Sequence, residues 1–237
     1  MAEHPIVEQM AKQISDGMVP SKIFNDHHIF ELEKEKIFSK TWIFLAHESE
    51  VPHPGDYVVR NIVDDSFIVV RGEDGKVRVL FNSCRHRGMQ VCNVEMGNSS
   101  HFRCPYHGWT YQNSGRLTGV PWGNEIYGKN GLDKADWGLV EIRSGICNKL
   151  IFACLDPDAV SLEEYIGDFK FYLDMYTNTS EEGLEVIGAP QRWVVDADWK
   201  LGADNFIGDG YHTAVSLHSV IDVGAMIVKS PHFLKDG

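Results

Sequence analysis

The 237-residue sequence predicts an α+β chain, with an all-β segment of about residues 39–157 between an N-terminal helical stretch, 1–38, and the opening of a second α+β region, 158–237. Three patterns carry that expectation. Short β-branched and aromatic runs at 57–60, 67–70, 77–80 and 150–154 alternate with Gly/Asp turns such as Gly72-Glu73-Asp74-Gly75, as antiparallel hairpins require. Upstream lies a helix-like charged and apolar mixture. Downstream, a capping signal opens a second helix-like period.

From the N-terminus, Asn25 stands where a helix N-cap belongs, ahead of a candidate helix through Phe38. Ile29, Phe30, Leu32 and Ile37 share one broad face interrupted by Glu33, and the charge run 31–36 reads as a solvated face. His27 and His28 are adjacent, so their side chains diverge and make no metal pair. After the β series, Asp156-Pro157-Asp158 marks a boundary. Ser161-Leu162-Glu163-Glu164 is a capping box, followed by Leu162, Tyr165, Ile166, Phe169, Tyr172 and Leu173 at helical spacing. Strands are expected at 184–188 and 192–195, and a further helix from Asp198-Trp199-Lys200.

Composition excludes several functions. With 22 basic against 34 acidic residues the net charge is −12, and no basic stripe offers a nucleic-acid surface. No run reaches the length of a signal-peptide core or a membrane span, so a cytoplasmic protein is expected. Cys92, Cys147 and Cys154 read as reduced thiols.

The chemistry concentrates in two loops. Cys84-Arg85-His86 offers a thiol and an imidazole; after seventeen intervening residues Cys104-Pro105-Tyr106-His107 offers the same pair. Two cysteines and two histidines are the ligands of a [2Fe–2S] centre with cysteines on one iron and histidines on the other. A tetrahedral Cys2His2 zinc site uses the same residue types. In an extended segment, residues two apart point to one side roughly 6.6 Å apart, an awkward bite for one ion and a fairer one for two adjacent irons.

The spacing, continuing as Cys104-Pro105-Tyr106-His107-Gly108-Trp109, resembles the Rieske signature. Respiratory Rieske proteins add a second cysteine to each loop; Gln90, Met89 and Tyr106 fill the matching positions here, so the oxygenase and soluble ferredoxin branch is the closer likeness. A second stretch extends it. Asn205, Asp209 and His212 lie at i, i+4 and i+7, within about 60° of one another on a helical wheel, and His218 follows. Asp209, His212 and His218 are similar to the mononuclear iron motif of Rieske non-haem iron aromatic ring-hydroxylating dioxygenases, and both motifs in this order point to the large α subunit of that family.

That resemblance implies a Rieske domain followed by a helix-grip-like catalytic domain with an antiparallel sheet. Cys84 and Cys104 would bind one cluster iron and His86 and His107 the other, with His212 and His218 on a mononuclear Fe(II). Asp209 would bridge to His107 of a neighbouring copy. Asn205 would stand near the iron, and Phe206, Val215 and Leu217 are candidate pocket walls. Electrons would come from NAD(P)H through a reductase and ferredoxin, O2 would be co-substrate, and an aromatic hydrocarbon would leave as a cis-dihydrodiol. A small β subunit and an α3β3 assembly are implied as well. The two-His, one-carboxylate iron site needs a third ligand. Only Asp222 and Asp236 follow His218, so the sequence is expected to be the N-terminal part of an α subunit. A Rieske monooxygenase or demethylase is the alternative of the same class, and a pure electron carrier the alternative of another.

Overall fold

The computed structural model describes residues 5–128, 131–207 and the single positions 212, 219 and 223. They fall into two compact units, Met1–Ile29 with Arg192–Gly237, and Phe30–Gln191. No helix among the described residues is long and apolar enough to cross a membrane.

The larger unit is built on ten strands: β1 Ile43–His47, β2 Asp56–Ile62, β3 Asp65–Arg71, β4 Val77–Phe81, β5 Met96–Asn98, β6 His101–Arg103, β7 Thr110–Gln112, β8 Leu117–Gly119, β9 Glu141–Cys147 and β10 Leu150–Cys154. A seven-stranded antiparallel sheet runs β1-β10-β9-β4-β3-β2-β5, and a three-stranded sheet runs β6-β7-β8. Local chemistry sets the hairpins. Asn148 and Lys149, both at positive φ, join Cys147 to its partner Leu150, the two-residue turn whose twist suits flanking strands.

Alternation along the strands divides the interior in two. Tyr57, Ile68, Val70 and Leu80 point into one core, where they meet Cys84, Cys104, Phe102, Trp109 and Tyr111. Their neighbours Val58, Phe67, Val69 and Val79 point into the other, with Leu45, Val51 and Ile151. Strand β3 is therefore buried on both faces, and the cluster loops are rooted in a fully packed wall.

Short helices flank the strands: α1 Pro5–Ser15, α2 His27–Glu33, α3 Gly123–Tyr127, α4 Leu162–Ile166, α5 Phe169–Thr177 and α6 Trp199–Ile207. The predicted strands at 57–60, 67–70, 77–80 and 150–154 and the start of α6 are all present. Four details differ. The cap of α2 is Asp26, whose Oδ1 accepts the His28 N–H at 2.9 Å, one residue past Asn25. Glu33 is buried rather than solvated. The period from Leu162 to Leu173 is split, because Gly167 at φ +48° turns the chain between α4 and α5 and leaves Phe169 and Tyr172 exposed. Residues 184–188 and 192–195 form no regular element and pair with no strand among the described residues. Ile187 and Val194 are almost wholly exposed there; strand propensity reflects fit to a half-buried pleated surface, and these segments have none to join.

Candidate metal centre

Both candidate loops are hairpin tips of one design. Ser83 bridges Gln90 and Arg103 pairs with Thr110, enclosing six residues each, 84–89 and 104–109. In the first, the Cys84 N–H donates to the Met89 carbonyl and the Gly88 N–H to the Cys84 carbonyl, each at 2.8 Å. In the second, the Cys104 N–H donates to the Trp109 carbonyl at 2.8 Å and the Gly108 N–H to the Cys104 carbonyl at 3.0 Å. Each reverses at a glycine in the left-handed region, Gly88 at φ +70° and Gly108 at φ +72°, where a Cβ would strain the turn. The two loops differ in the histidine's place, two residues after Cys84 and three after Cys104.

This frame sorts the ligands by type. Cys84 and Cys104 are both buried and close enough to hydrogen-bond each other. The imidazoles of His86 and His107 lie edge to face, ring centres 4.7 Å apart. His86 is stacked on Trp109 at 5.0 Å with an interplanar angle of 5°, and Trp109 in turn meets Trp137 edge-on. Tyr106 tilts against His107, which is exposed.

Electrostatics favour ligation. Burial, then His107 and Arg87, hold the His86 imidazole below its ordinary value, so it is neutral, the form that binds metal. Burial raises the Cys104 thiol, opposed by the Tyr106 and His107 backbone N–H groups, which donate to its sulfur. The Tyr111 hydroxyl accepts the Arg85 N–H at 3.1 Å and stands 3.2 Å from Cys84 Sγ, within reach to donate its own proton to that sulfur as a thiolate. Burial first, then Cys84, keeps that phenol well above its usual range and protonated.

One atom tests whether a metal group belongs here. His86 Nδ1 is buried and has no hydrogen-bond partner, the one such side-chain atom among the described residues. A buried polar atom left alone costs about 1–3 kcal/mol. An iron accepting its lone pair removes that cost, and two thiols facing two imidazoles match a pair of unlike irons. The donor set fits a Rieske-type [2Fe–2S] centre.

Of the second predicted site, Asn205 lies half-buried on α6, Phe206 is 89% exposed and His212 is half-buried. Asp209, Val215, Leu217 and His218 lie outside the described residues, as does Asp222. Sequence reading missed Tyr111 and the His86–Trp109 stack. The nearest signal was an aromatic at alternate positions, Trp109 and Tyr111, directly after the second loop.

Comparison with known proteins agrees with this geometry. The profile of the Rieske [2Fe-2S] domain matches residues 41–128. The N,N-dimethyl phenylurea N-demethylase subunit alpha of Sphingobium sp. (strain YBL2) is 42% identical over 221 residues, covering 91% of this chain and 47% of that protein. The chlorobenzene dioxygenase subunit alpha of Cupriavidus sp. (strain PS12) is 39% identical over 202 residues, covering 85% and 44%. Among solved structures, naphthalene 1,2-dioxygenase from Rhodococcus sp. bound to indole superposes with a TM-score of 0.87 at 54% identity, covering 96% of this chain and 52% of that one. The chain spans about half the length of the curated relatives it matches.

Proposed function

We propose, for a chain that belongs to the α-subunit family of Rieske non-haem iron oxygenases, that the protein of which it forms part adds O2 to an aromatic hydrocarbon as a cis-dihydrodiol. The observation that carries this reading is the paired loop geometry with its unpartnered His86 Nδ1, together with the 54% identity to a naphthalene dioxygenase. Cys84 and Cys104 would hold one cluster iron, and His86 and His107 the other. His212 and His218 are assigned to a mononuclear ferrous ion, with a carboxylate as third ligand. When bound, these groups supply one-electron relay and O2 activation.

The chain's own residues prepare that chemistry. Trp109 fixes the His86 ring by stacking and Tyr111 donates to the Cys84 sulfur, outer contacts that set ligand orientation and basicity. His107 is exposed, so its edge is available to a neighbouring copy. Asp209 is assigned to join that edge to His212 by hydrogen bonds. An α3β3 assembly, a ferredoxin donor fed from NAD(P)H and a cytoplasmic setting complete the reading.

Demethylation is the second reading, favoured by the 42% identity to a phenylurea N-demethylase α subunit. Incubating the full-length enzyme with 18O2 separates the two. Dihydroxylation predicts a cis-diol from naphthalene with both oxygens labelled; formaldehyde from dimethyl phenylurea without any diol would replace it by demethylation.

A further inference from the structure

The two loops match at their tips and differ at their stems. Below the second, β6 and β7 continue as a ladder that pairs His101 with Gln112, Phe102 with Tyr111 and Arg103 with Thr110. Below the first, pairing stops at the single bridge between Ser83 and Gln90. β4 has already ended at Phe81, and Val91 and Cys92 belong to no strand although both are buried.

A buried backbone N–H or C=O has to find a partner, and here one side chain provides it. Asn82 Oδ1 accepts the N–H groups of Val91 at 3.1 Å and Cys92 at 2.8 Å, and Asn82 Nδ2 donates to the Cys92 carbonyl at 2.8 Å. The amide stands in for the missing rungs. Its other Nδ2 proton goes to Ser66 Oγ at 3.1 Å, while the Asn82 backbone N–H donates to the Ser66 carbonyl at 2.9 Å. Ser66 belongs to β3, so the side chain that closes the stem also ties it to the packed wall. Every donor and acceptor site of the amide is used, and the residue is only 3% exposed, so no water substitutes for these bonds.

We propose that Asn82 is the positioning residue of the first loop, fixing where Cys84 and His86 stand relative to Cys104 and His107. This inference rests on the cluster assignment above, in which each iron takes one ligand from either loop. A shift of one stem against the other then alters the bite at both irons at once. Contacts behind metal ligands set their orientation in this way. A residue that served only the fold would stabilise the domain and leave the irons as they are.

The test uses the full-length holoprotein, well below its thermal midpoint, and three variants. Asn82→Ala removes all four amide bonds. Asn82→Asp keeps the two accepted from Val91 and Cys92 and loses the two donated. Arg143→Ala, which removes bonds to the carbonyls of Asp156, Pro157 and Ala159, is the control for lost stability. The readouts are iron release to a strong chelator, midpoint potential and the width of the rhombic EPR signal. Asn82→Ala should release iron about tenfold or more faster than the wild type, with a shifted potential and a broadened signal, and Asn82→Asp should fall between. Arg143→Ala should release iron within about twofold of the wild type, with an unchanged signal, although its thermal midpoint falls. If Asn82→Ala does not fold, Asn82→Asp decides by the same readouts. Wild-type release, potential and signal in the Asn82 variants would overturn the proposal. Equal changes in Arg143→Ala would also overturn it, since they would follow from lost stability alone. Failure of both Asn82 variants to fold would do the same, making the amide a determinant of the fold. A wild-type protein without cluster absorption would instead defeat the cluster assignment, and this inference with it.

Discussion

At Tyr111 one hydroxyl is held by two neighbours: it accepts from the Arg85 N–H and stands 3.2 Å from Cys84 Sγ, to which it donates once that sulfur is a thiolate. A donor to a thiolate stabilises the electron-rich state of an attached cluster. Tyr111→Phe should therefore lower the midpoint potential, on the order of 40 mV for about 1 kcal/mol of differential hydrogen bonding. Redox titration of the full-length holoprotein reads this directly, and an unchanged potential would deny the hydroxyl that role. The four candidate ligands, Cys84, His86, Cys104 and His107, could be picked out from spacing alone, because metal chemistry restricts which residue types can stand there. Tyr111 was not, since a buried tyrosine in a β-strand is also ordinary core and only its two contacts distinguish it. His212 illustrates a different boundary: its residue type and spacing suggest a ligand, but its partners Asp209 and His218 lie outside the described residues.

Within the elements, the two loops share a frame but not a tolerance. A Cβ at Gly88 meets only Ser83 Oγ at 3.8 Å, whereas one at Gly108 lies 3.2 Å from Arg103 Nη2 and Pro121 Cγ. Both substitutions cost about 1–2 kcal/mol for the left-handed backbone. Gly108→Ala should in addition displace its neighbours, so iron content and thermal midpoint should fall further in Gly108→Ala than in Gly88→Ala. Equal losses would show that backbone strain alone matters. The 156–160 turn depends on one side chain: Arg143 Nη1 donates to the carbonyls of Asp156, Pro157 and Ala159 while its guanidinium covers Trp42, whose Nε1 donates to the Val160 carbonyl. Arg143→Ala should cost about 2–3 kcal/mol in denaturant unfolding; a loss below about 0.5 kcal/mol, the range of ordinary surface substitutions, would contradict the clamp. Strands with both faces packed were readable as apolar runs, and the hairpins as Gly/Asp turns. The break at Gly167 was not, because the apolar period continues through it, and the unpaired 184–195 stretch has the residues of a strand without a neighbour to bond.

For the molecule as a whole, the net charge of −12 is unevenly placed, and the arginines around the loops, Arg85, Arg87 and Arg103, are legible in the sequence itself. The proposed use of His107 and Asp209 from different copies has a consequence for mixtures. Full-length Asp209→Ala and His107→Ala proteins should each be nearly inactive, yet co-assembled subunits should recover part of the wild-type rate, since some interfaces then join an intact His107 to an intact Asp209. Mixtures as inactive as their components would place the transfer within one copy. All of this depends on two loops presenting two thiols to one iron and two imidazoles to another. Pulsed EPR of the reduced, full-length holoprotein examines that most directly. The account predicts a rhombic signal coupled to two imidazole nitrogens, one of which disappears when His86 is replaced by cysteine; a protein with no such signal, or one coupled to no nitrogen, would contradict it.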